Sequence, residues 1–378
     1  MFISPNPFFR LFDTLPGKKN FGLGQNPWTV DKEDQWFLFS RGQWALTALG
    51  TCLAEGRGRT KGRIFIPEYF CEISLTPLRR SGFDLHFYRL TPNFLPEVSD
   101  LDRMVEKYGS PEMLLFVHYF GFPLDIGPTG IWCRNNKVLL VEDAAHSLLP
   151  VPGIGRHGYP VIYTPWKFLN TPGGAFLVLP GNCGFELALE RERENGSAYP
   201  WAWMVKQLIH RSAQHLGLPL YKMKKPRVKE EDESEPILDP GDPACAVPAK
   251  TFLSKGGRSL SDIGRIRERN YRRIDQALVA STRRQGRLFP QRPEGFTPYV
   301  YPFRIGEGRC RKVMVALNRT GIPAMTWSDL SPEVKNSEEY PLANALRREV
   351  MVLPVHQDLT LAQLDWMTDQ VNHILSAI

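Results

Sequence analysis

Short apolar runs alternate with amphipathic stretches along residues 36–179 of the chain. Seven of the runs have the length of strands, and the stretches between them carry apolar residues at helical spacing. The runs are WFLFS, GRIFIP, FDLHFY, EMLLFV, KVLLVED, PVIYT and GAFLVL. Near-continuous apolar strands separated by helices are typical of a parallel sheet that is covered on both faces. We therefore predict an α/β fold with a mostly parallel seven-stranded sheet covered by helices.

The composition of the chain divides it into an arm and two domains. Residues 1–35 are rich in Pro, Gly, Asn and aromatic residues, which predicts an irregular arm on the surface or on a partner subunit. The large domain is expected to span residues 36–248, with helices over 184–224 and an acidic, Pro-rich loop or linker over 225–248. Residues 249–378 combine a long basic helix with shorter strands and helices, which predicts a smaller C-terminal α+β domain.

The net charge, the apolar segments and the cysteine spacing limit the kinds of ligand and partner that we expect. The net charge of +7 suits an anionic substrate or a phosphate-bearing cofactor. Basic residues are scattered and do not alternate with aromatic residues, so we expect no nucleic-acid partner. No stretch reaches the length of a membrane span, and the N-terminus lacks the apolar run of a signal peptide. The six cysteines form no C-x-x-C pair, so we expect reduced thiols in the cytoplasm and no metal site.

An acidic residue ends the strongly apolar strand VLLVED. A carboxylate at the position of Asp143 is costly to bury unless a cation pairs with it, and a protonated pyridine nitrogen would be such a cation. His146 follows three residues later and could contact the ring of a cofactor or its phenolic oxygen. A structural cap or a metal ligand would also explain a Glu-Asp pair after a strand.

A lysine follows the later strand PVIYT. Lys167 comes 24 residues after Asp143, and an amine in a partly dry site can lose its proton near neutral pH and attack an aldehyde. Thr164 lies three residues before the lysine, where its hydroxyl could meet a phosphate. The pair Gly173-Gly174 allows close backbone approach where the chain re-enters the sheet. An ordinary solvated lysine is the alternative interpretation.

The first predicted helix opens with Gly42 and Gln43 in the segment SRGQWAL. Backbone N–H groups and the helix dipole make the start of a helix suitable for a phosphate. The segment is too short for a P-loop and lacks its Gly-Lys-Ser/Thr ending. A plain helix start without a ligand is the alternative interpretation.

The order of these features resembles the DegT/DnrJ/StrS family of sugar aminotransferases, which depend on pyridoxal 5′-phosphate (PLP). The order is a glycine at a helix start, an aspartate at a strand end, a lysine after a later strand and a Gly-Gly turn. The resemblance extends from about Phe39 to Leu179 and more loosely to the C-terminus, and the tract from Asp143 to Gly174 is its most specific part. The segments that carry it are FSRGQWAL, IPEYFCEISLTPLRRSGFDLHFY, LLFVHYFGFPLDI, VLLVEDAAHS and YTPWKFLNTPGGAFLV.

The resemblance implies the architecture of a PLP transferase of fold type I and a role for each matching position. Lys167 would hold PLP as a Schiff base and move the proton between carbon atoms, and Asp143 would bind the pyridine nitrogen. His146 would lie near the phenolic oxygen of PLP. The other implied cofactor positions are Gly42, Gln43 and Thr164, which would hold the phosphate, and Tyr69 and Cys71, in the loop that normally supplies a ring-stacking aromatic.

The chain departs from the pattern of this family at several positions. Thr164 stands where serine is usual, although it keeps the hydroxyl. Cys71 aligns with the usual aromatic, so stacking on the cofactor could fall to Tyr69 or Phe70. The interval from aspartate to lysine is also shorter than in the family. These departures affect the expected substrate more than the expected cofactor.

Polar residues outside this tract are less distinctive. His118 and Tyr119 follow the strand LLFV and would either line the cofactor cleft, where they could meet substrate, or cap the strand. His356 and Gln357 in LPVHQDL are interpreted as structural. Arg267 and its neighbours on the basic helix could meet an anionic substrate, but a solvated helix face is the favoured interpretation.

The function that the resemblance implies is PLP-dependent transamination. We expect transfer of an amino group from an amino-acid donor such as glutamate to a keto-sugar carried on a nucleotide, in polysaccharide or secondary-metabolite sugar biosynthesis. The family also implies a homodimer in which each cleft is completed by the neighbouring subunit. The alternatives are a sugar dehydratase of the same fold, which in this family carries histidine in place of Lys167, and a non-catalytic binding module. A Rossmann dehydrogenase lacks support because no G-x-G-x-x-G follows the first strand.

Overall fold

A seven-stranded sheet forms the centre of the larger part of the molecule. The computed structural model describes residues 3–7, 26–169, 171–181, 201–215, 259–278, 286–289, 293, 295–306, 308–327 and 329–378. The strands of the sheet are β1 (Gln35–Phe39), β2 (Arg63–Pro67), β3 (Asp84–Tyr88), β4 (Met113–Val117), β5 (Leu139–Ala144), β6 (Val161–Tyr163) and β7 (Ala175–Leu179). Their order in the sheet is β1-β7-β6-β5-β4-β2-β3. Only the pairs that involve β7 are antiparallel, which confirms the predicted mostly parallel sheet.

Helices connect the strands and cover the sheet. Among the described residues up to position 215 they are α1 (Gly42–Gly56), α2 (Thr76–Arg80), α3 (Val98–Tyr108), α4 (Gly127–Asn135), α5 (Trp166–Leu169) and α6 (Trp201–His215). Short 3-10 turns lie at Glu72–Leu75 and Tyr119–Gly121. Ser99 looks like a helix cap in the sequence, but α3 begins one residue earlier and Glu97 occupies the N-cap position.

The two faces of the sheet bury two different apolar clusters because successive side chains of a strand point to opposite sides. On β6, Ile162 belongs to the larger cluster, whereas Val161 and Tyr163 belong to the smaller one. On β7, Leu177 belongs to the larger cluster and Phe176 to the smaller one. The smaller cluster contains Leu260 and Ile263 as well, so the helix that carries these two residues packs on that side.

The C-terminal part contains a three-stranded antiparallel sheet flanked by helices. Its strands are β8 (Val300–Arg304), β9 (Met325–Thr326) and β10 (Val350–Pro354), in the order β8-β10-β9. Its described helices are α7 (Leu260–Ala277), α8 (Cys310–Thr320), α9 (Pro341–Glu349) and α10 (Leu361–Ala377). The sequence analysis missed β9, which is too short for a period-2 pattern, and α9, although Pro341 in its first turn is a typical start signal. No helix among the described residues is long and apolar enough to cross a membrane.

The described portions of the N-terminal arm are anchored in the chain itself. Ile3 is buried, and its N–H donates to the carbonyl of Gly321 over 3.2 Å. Trp28 is buried as well, donates from Nε1 to the carbonyl of Leu148 over 2.8 Å and stacks on Phe176 with ring centroids 4.3 Å apart. These two residues attach the described portions of the arm to the rest of the chain. The acidic stretch 225–248 lies outside the described residues.

Candidate functional site

A cavity of about 450 Å³ opens at the carboxyl ends of the central strands. Val117 on β4, Asp143 on β5 and Ile162 on β6 are neighbours in the strand register, and all three line it. Ligands of open α/β sheets bind outside the carboxyl ends of the strands, so this is the position expected of a functional cleft.

Most of the residues that the sequence singled out come together in this cavity. They are Gly42, Gln43, Cys71, Asp143, His146, Thr164 and Lys167. They come from α1, the loop after β2, the end of β5 and the segment after β6. The fold therefore gathers groups that are up to 125 residues apart in the chain, from position 42 to position 167.

Asp143 lies at the end of β5 with its carboxylate directed to the start of the following turn. The N–H of Ala145 donates to Asp143 Oδ1 over 2.8 Å, which fixes the side chain. Burial raises the pKa of Asp143, while the nearby Lys167 amine and the Ala145 N–H act in the opposite direction. A buried carboxylate of this kind gains from a cationic partner.

Lys167 lies in α5, immediately after β6. Burial lowers the pKa of its amine, and the charge of Asp143 opposes that shift. The Nζ atom lies 5.5 Å from the ring centroid of Tyr299, which closes this side of the cavity. Compared with a solvated lysine, Lys167 holds its proton weakly and is a better nucleophile near neutral pH.

His146 is held as a neutral ring beside the same amine. Its Nδ1 accepts the N–H of Phe120 over 3.2 Å, so the ring proton of the neutral form is on Nε2. The ring stacks on Tyr299, with centroids 4.7 Å apart and an interplanar angle of 12°. Burial, assisted by the charge of Lys167, lowers the pKa of His146 well below its usual value. His146 can therefore donate a hydrogen bond to a ligand without carrying charge.

The start of α1 is packed tightly against the segment after β6. A Cβ atom added at Gly42 would lie 3.0 Å from Cγ2 of Thr164, so glycine permits this approach. The hydroxyl of Thr164 donates to the carbonyl of Ala145 over 2.7 Å. The N–H of Gly174 donates to the carbonyl of Ser40 over 2.9 Å, which ties the Gly-Gly turn to the residues before α1. The first turn of a helix offers N–H groups and the positive end of its dipole to an anion.

Three of the predicted site residues lie in the interior away from the cavity. The hydroxyl of Tyr69 donates to the carbonyl of Trp327 over 2.6 Å, and the hydroxyl of Tyr119 donates to the carbonyl of Tyr69 over 2.8 Å. Both tyrosines are fully buried, and neither is among the described residues that line the cavity. Tyr69 is thus not placed to stack on a ligand there, whereas Phe70 and Cys71 of the same loop do line it.

His118 is the third of these residues. Its Nδ1 accepts the N–H of Leu124 over 3.2 Å, and its Nε2 donates to Glu142 Oε2 over 3.0 Å. Glu142 precedes Asp143 on β5, so its side chain leaves the opposite face of the sheet. His118 therefore pairs with Glu142 on the face of the sheet opposite to the Asp143 side chain. Of its two interpretations, a residue of the cleft or a cap of the strand, these contacts favour a structural role.

The cavity also contains residues that the sequence analysis did not single out as site residues. Tyr299 and Trp327 come from the C-terminal part, and Trp166 precedes Lys167. The Arg41 guanidinium lies 4.3 Å from the ring of Trp166 and adds positive charge next to the start of α1. Adjacency to Lys167 and Gly42 was a signal for Trp166 and Arg41, but no local pattern marks Tyr299 or Trp327.

The expected solvated helix face is wrong at Arg267. This side chain is only 1% exposed, and its guanidinium lies 4.7 Å from the ring of Phe168. The structural interpretation of His356 agrees with its contacts, since its Nε2 is 2.9 Å from the carbonyl of Ser4. Gln357 bonds to Arg267 and to the backbone of Phe168.

Comparison with known proteins shows similarity in structure alone. No protein-family model matches the chain, and no curated protein matches it in sequence. The aminotransferase TlmJ from Streptoalloteichus hindustanus is 21% identical, with a TM-score of 0.63 over 92% of this chain and 87% of TlmJ. PseC from Helicobacter pylori, an aminotransferase involved in pseudoaminic acid biosynthesis, is 14% identical, with a TM-score of 0.63 over 100% of both chains. A DegT DnrJ EryC1 StrS aminotransferase from Brucella abortus is 15% identical, with a TM-score of 0.58 over 90% of this chain and 85% of that one. The chain thus has the fold of these aminotransferases, as the resemblance in its sequence led us to expect.

Proposed function

We propose that this chain is a PLP-dependent aminotransferase of the sugar aminotransferase type. The observation that carries the proposal is the convergence of the Asp143 carboxylate and the Lys167 amine on one cavity, where burial holds the pKa of Lys167 below its ordinary value. The fold shared with several aminotransferases supports the same reaction class.

The residues of the cavity fit PLP in charge and in chemistry. Asp143, fixed by the Ala145 N–H, is a suitable acceptor for a protonated pyridine nitrogen. The start of α1 and the Arg41 guanidinium form a positive, donor-rich end for a phosphate, and the Thr164 hydroxyl, which donates to the Ala145 carbonyl, lies beside it. The weakly protonated amine of Lys167 suits attack on an aldehyde.

Each side chain then has a task that follows from its environment. When bound, PLP supplies an electron sink for negative charge that develops at a substrate carbon. Lys167 provides an amine whose lowered pKa suits it to serve as nucleophile and as base at that carbon. Asp143 offers a carboxylate to the cavity, and its ionised form would stabilise a proton on a ring nitrogen. His146 contributes a neutral Nε2–H donor.

The substrates belong to the proposal. The donor is an amino acid, with glutamate as the first candidate, and the acceptor is a keto-sugar, which we propose is linked to a nucleotide. The aromatic rings of Trp166, Tyr299 and Trp327 around the cavity favour a ligand with an apolar face, as a sugar ring has. We also propose a homodimer that works in the cytoplasm.

The direct test is to locate PLP on the chain and then follow the amino group. Purified protein is incubated with PLP, reduced with borohydride and digested, and the peptide that carries Lys167 is weighed by mass spectrometry. We expect the mass of one reduced PLP on that peptide, and none on the chain in Lys167→Ala, whereas Lys312→Ala, at an exposed lysine, behaves as wild type. Wild-type protein that takes up no PLP at Lys167 would overturn the proposal.

The second stage separates transamination from other reactions at a sugar carbon. The PLP-loaded protein is mixed with glutamate and a nucleotide-linked keto-sugar, and the products are identified. We expect 2-oxoglutarate and an amino-sugar in equal amounts. A deoxy-sugar without transfer of nitrogen would point to a dehydratase instead. PLP uptake without any turnover over a panel of keto-sugars would support a binding module.

A further inference from the structure

A buried arginine links the C-terminal part of the molecule to the candidate site. Arg267 lies on α7 and is 1% exposed. Its Nε donates to Gln357 Oε1 over 2.9 Å, and its Nη1 donates to the carbonyl of Tyr299 over 3.1 Å. A longer bond of 3.4 Å reaches the carbonyl of Pro298. These acceptors are neutral, so the guanidinium is held by backbone and amide oxygens.

The partner of Arg267 continues the link to the lysine segment. Gln357 follows β10, and its Nε2 donates to the carbonyl of Phe168 over 2.8 Å. Phe168 is the residue after Lys167, and its ring also lies under the Arg267 guanidinium. The Gln357 amide therefore accepts a hydrogen bond from Arg267 through its oxygen and donates one to the Phe168 carbonyl through its nitrogen.

The other partner of Arg267 lies in the cavity. Its bond to the Tyr299 carbonyl holds the residue whose ring stacks on His146 and lies 5.5 Å from Lys167 Nζ. The charged and titratable groups that face the Lys167 amine are Asp143 from β5, Cys71 from the loop after β2, Arg41 from the start of α1, His146 from the turn after β5, and Tyr299. Arg267 contacts the backbone of Tyr299 and the ring of Phe168, and Gln357 extends the link to the Phe168 carbonyl.

Joining two segments through a buried cation costs the desolvation free energy of that cation. Burial lowers the pKa of Arg267 to about 9, so the side chain remains protonated at neutral pH. An apolar residue of similar volume would often give equal or greater stability at such a place. The guanidinium differs from an apolar residue in offering donors in a fixed fork, which here orient three backbone and side-chain oxygens.

We propose that Arg267, together with Gln357, is a positioning residue that holds Lys167 and Tyr299 in the cofactor cavity. This inference rests on the proposed function of that cavity. It makes the lysine environment depend on the C-terminal part of the chain, because α7 and the segment after β10 carry the two side chains. Loosening the link lets water reach the amine, and the pKa of Lys167 then rises toward that of a solvated lysine.

The test uses the full chain and two variants that cut the link at different points. Gln357→Glu keeps an oxygen that accepts from Arg267 but removes the N–H that donates to Phe168. Arg267→Met removes the fork altogether. The matched control is Arg273→Gln on the same helix α7, where Arg273 pairs with Asp365 at 2.6 and 2.7 Å and does not reach the cavity. Circular dichroism and thermal unfolding establish that each variant is folded.

Two measurements are made on each protein. The first needs no cofactor: acetylation of Lys167 by acetic anhydride is followed against pH on its peptide by mass spectrometry. The second is a titration with PLP. For Gln357→Glu and Arg267→Met we expect the midpoint of Lys167 reactivity to move up by about one pH unit and PLP affinity to fall about tenfold, whereas Arg273→Gln resembles wild type.

The outcomes separate this inference from the proposed function. A folded Gln357→Glu variant with the wild-type midpoint of Lys167 acetylation and the wild-type PLP affinity would overturn the positioning role. If Arg267→Met does not fold, the result for Gln357→Glu is sufficient by itself. If the wild-type protein takes up no PLP but both variants show a raised midpoint of Lys167 acetylation, the positioning role is supported and the proposed function fails. An equal shift in Arg273→Gln would show a general loosening of α7 and would also overturn the inference.

Discussion

The Asp143 carboxylate at the end of β5 and the Lys167 amine in α5, the helix after the adjacent strand β6, face one cavity, and each favours the charged form of the other. Burial acts against both charges, raising the pKa of Asp143 and lowering that of Lys167. The attraction between the two charges thus opposes the effect of burial, and a ligand that carries its own charge can change the balance.

Asp143→Asn tests the carboxylate. The amide keeps the size of the side chain but removes the charge that would hold a proton on a pyridine nitrogen. We expect PLP to bind and the half-reaction with glutamate to slow by at least about a hundredfold, which corresponds to roughly 3 kcal/mol. Single-turnover spectroscopy measures the rate. Asp369→Asn, at an exposed position, is the control. A wild-type rate in Asp143→Asn would rule out a role of the Asp143 carboxylate at the ring nitrogen.

Gly42→Ala and Gly56→Ala form a matched pair on α1. A Cβ at Gly42 would lie 3.0 Å from Cγ2 of Thr164 and 3.4 Å from Cγ2 of Ile162, whereas a Cβ at Gly56 would meet nothing within 4 Å. We expect Gly42→Ala to weaken PLP binding about tenfold because it displaces the phosphate end. Pyridoxal, which has no phosphate, should lose less affinity. Gly56→Ala should stabilise the fold by about 0.5–1 kcal/mol and leave PLP affinity unchanged.

Glu68 should give the fold a pH-dependent stability. Its carboxylate is buried and accepts the N–H groups of Leu90 and Ala343, so it joins the end of β3 to the start of α9. Burial raises the pKa of Glu68 to about 7, against an ordinary 4.5. The folded state therefore binds this proton more tightly than the unfolded state. Its stabilising contribution is complete below about pH 4.5 and is lost as the pH rises through about 7.

The size of that loss is about 3 kcal/mol in the free energy of unfolding. Urea denaturation across this pH range measures it, and Glu68→Gln should flatten the profile by that amount. Glu106→Gln, at an exposed position on α3, should keep the wild-type slope. Identical pH profiles for wild type and Glu68→Gln would show that the Glu68 carboxyl does not titrate in this range.

Trp28→Phe tests the anchoring of the N-terminal arm. Phenylalanine keeps an aromatic ring against Phe176 but removes the Nε1–H that donates to the buried carbonyl of Leu148. We expect a loss of about 1–2 kcal/mol in the free energy of unfolding, measured by urea denaturation. Trp36 meets the same Phe176 edge-on with centroids 5.8 Å apart and is less buried, so Trp36→Phe should cost less. Equal effects would show that the indole hydrogen bond contributes little.

The strands and most of the helices could be predicted because their signals are local. The seven apolar runs correspond to the seven strands of the large sheet, and Gly82, which follows α2 closely, has the positive φ of 76° that glycine allows. The exact start of α3 could not be predicted, because Ser99 has the side chain of a helix cap whereas Glu97 occupies the N-cap position.

The candidate site could be predicted only in part. The positions of Asp143, Lys167 and Gly42 follow from strand and helix ends, which a parallel sheet brings to one edge. The inward direction of Tyr69 and Tyr119 could not be predicted, since it depends on Trp327 and other residues far along the chain.

By itself the sequence determined which chain segments become strands and which polar groups end them, because hydrophobic periodicity and turn chemistry act over a few residues. Only the tertiary structure decided that Tyr299 closes the cavity and that Arg267 and Gln357 reach the segment of Lys167. Those contacts join residues about a hundred or more positions apart, as from Phe168 to Gln357, and they depend on how the C-terminal part packs against the segment after β6 rather than on any neighbouring residue.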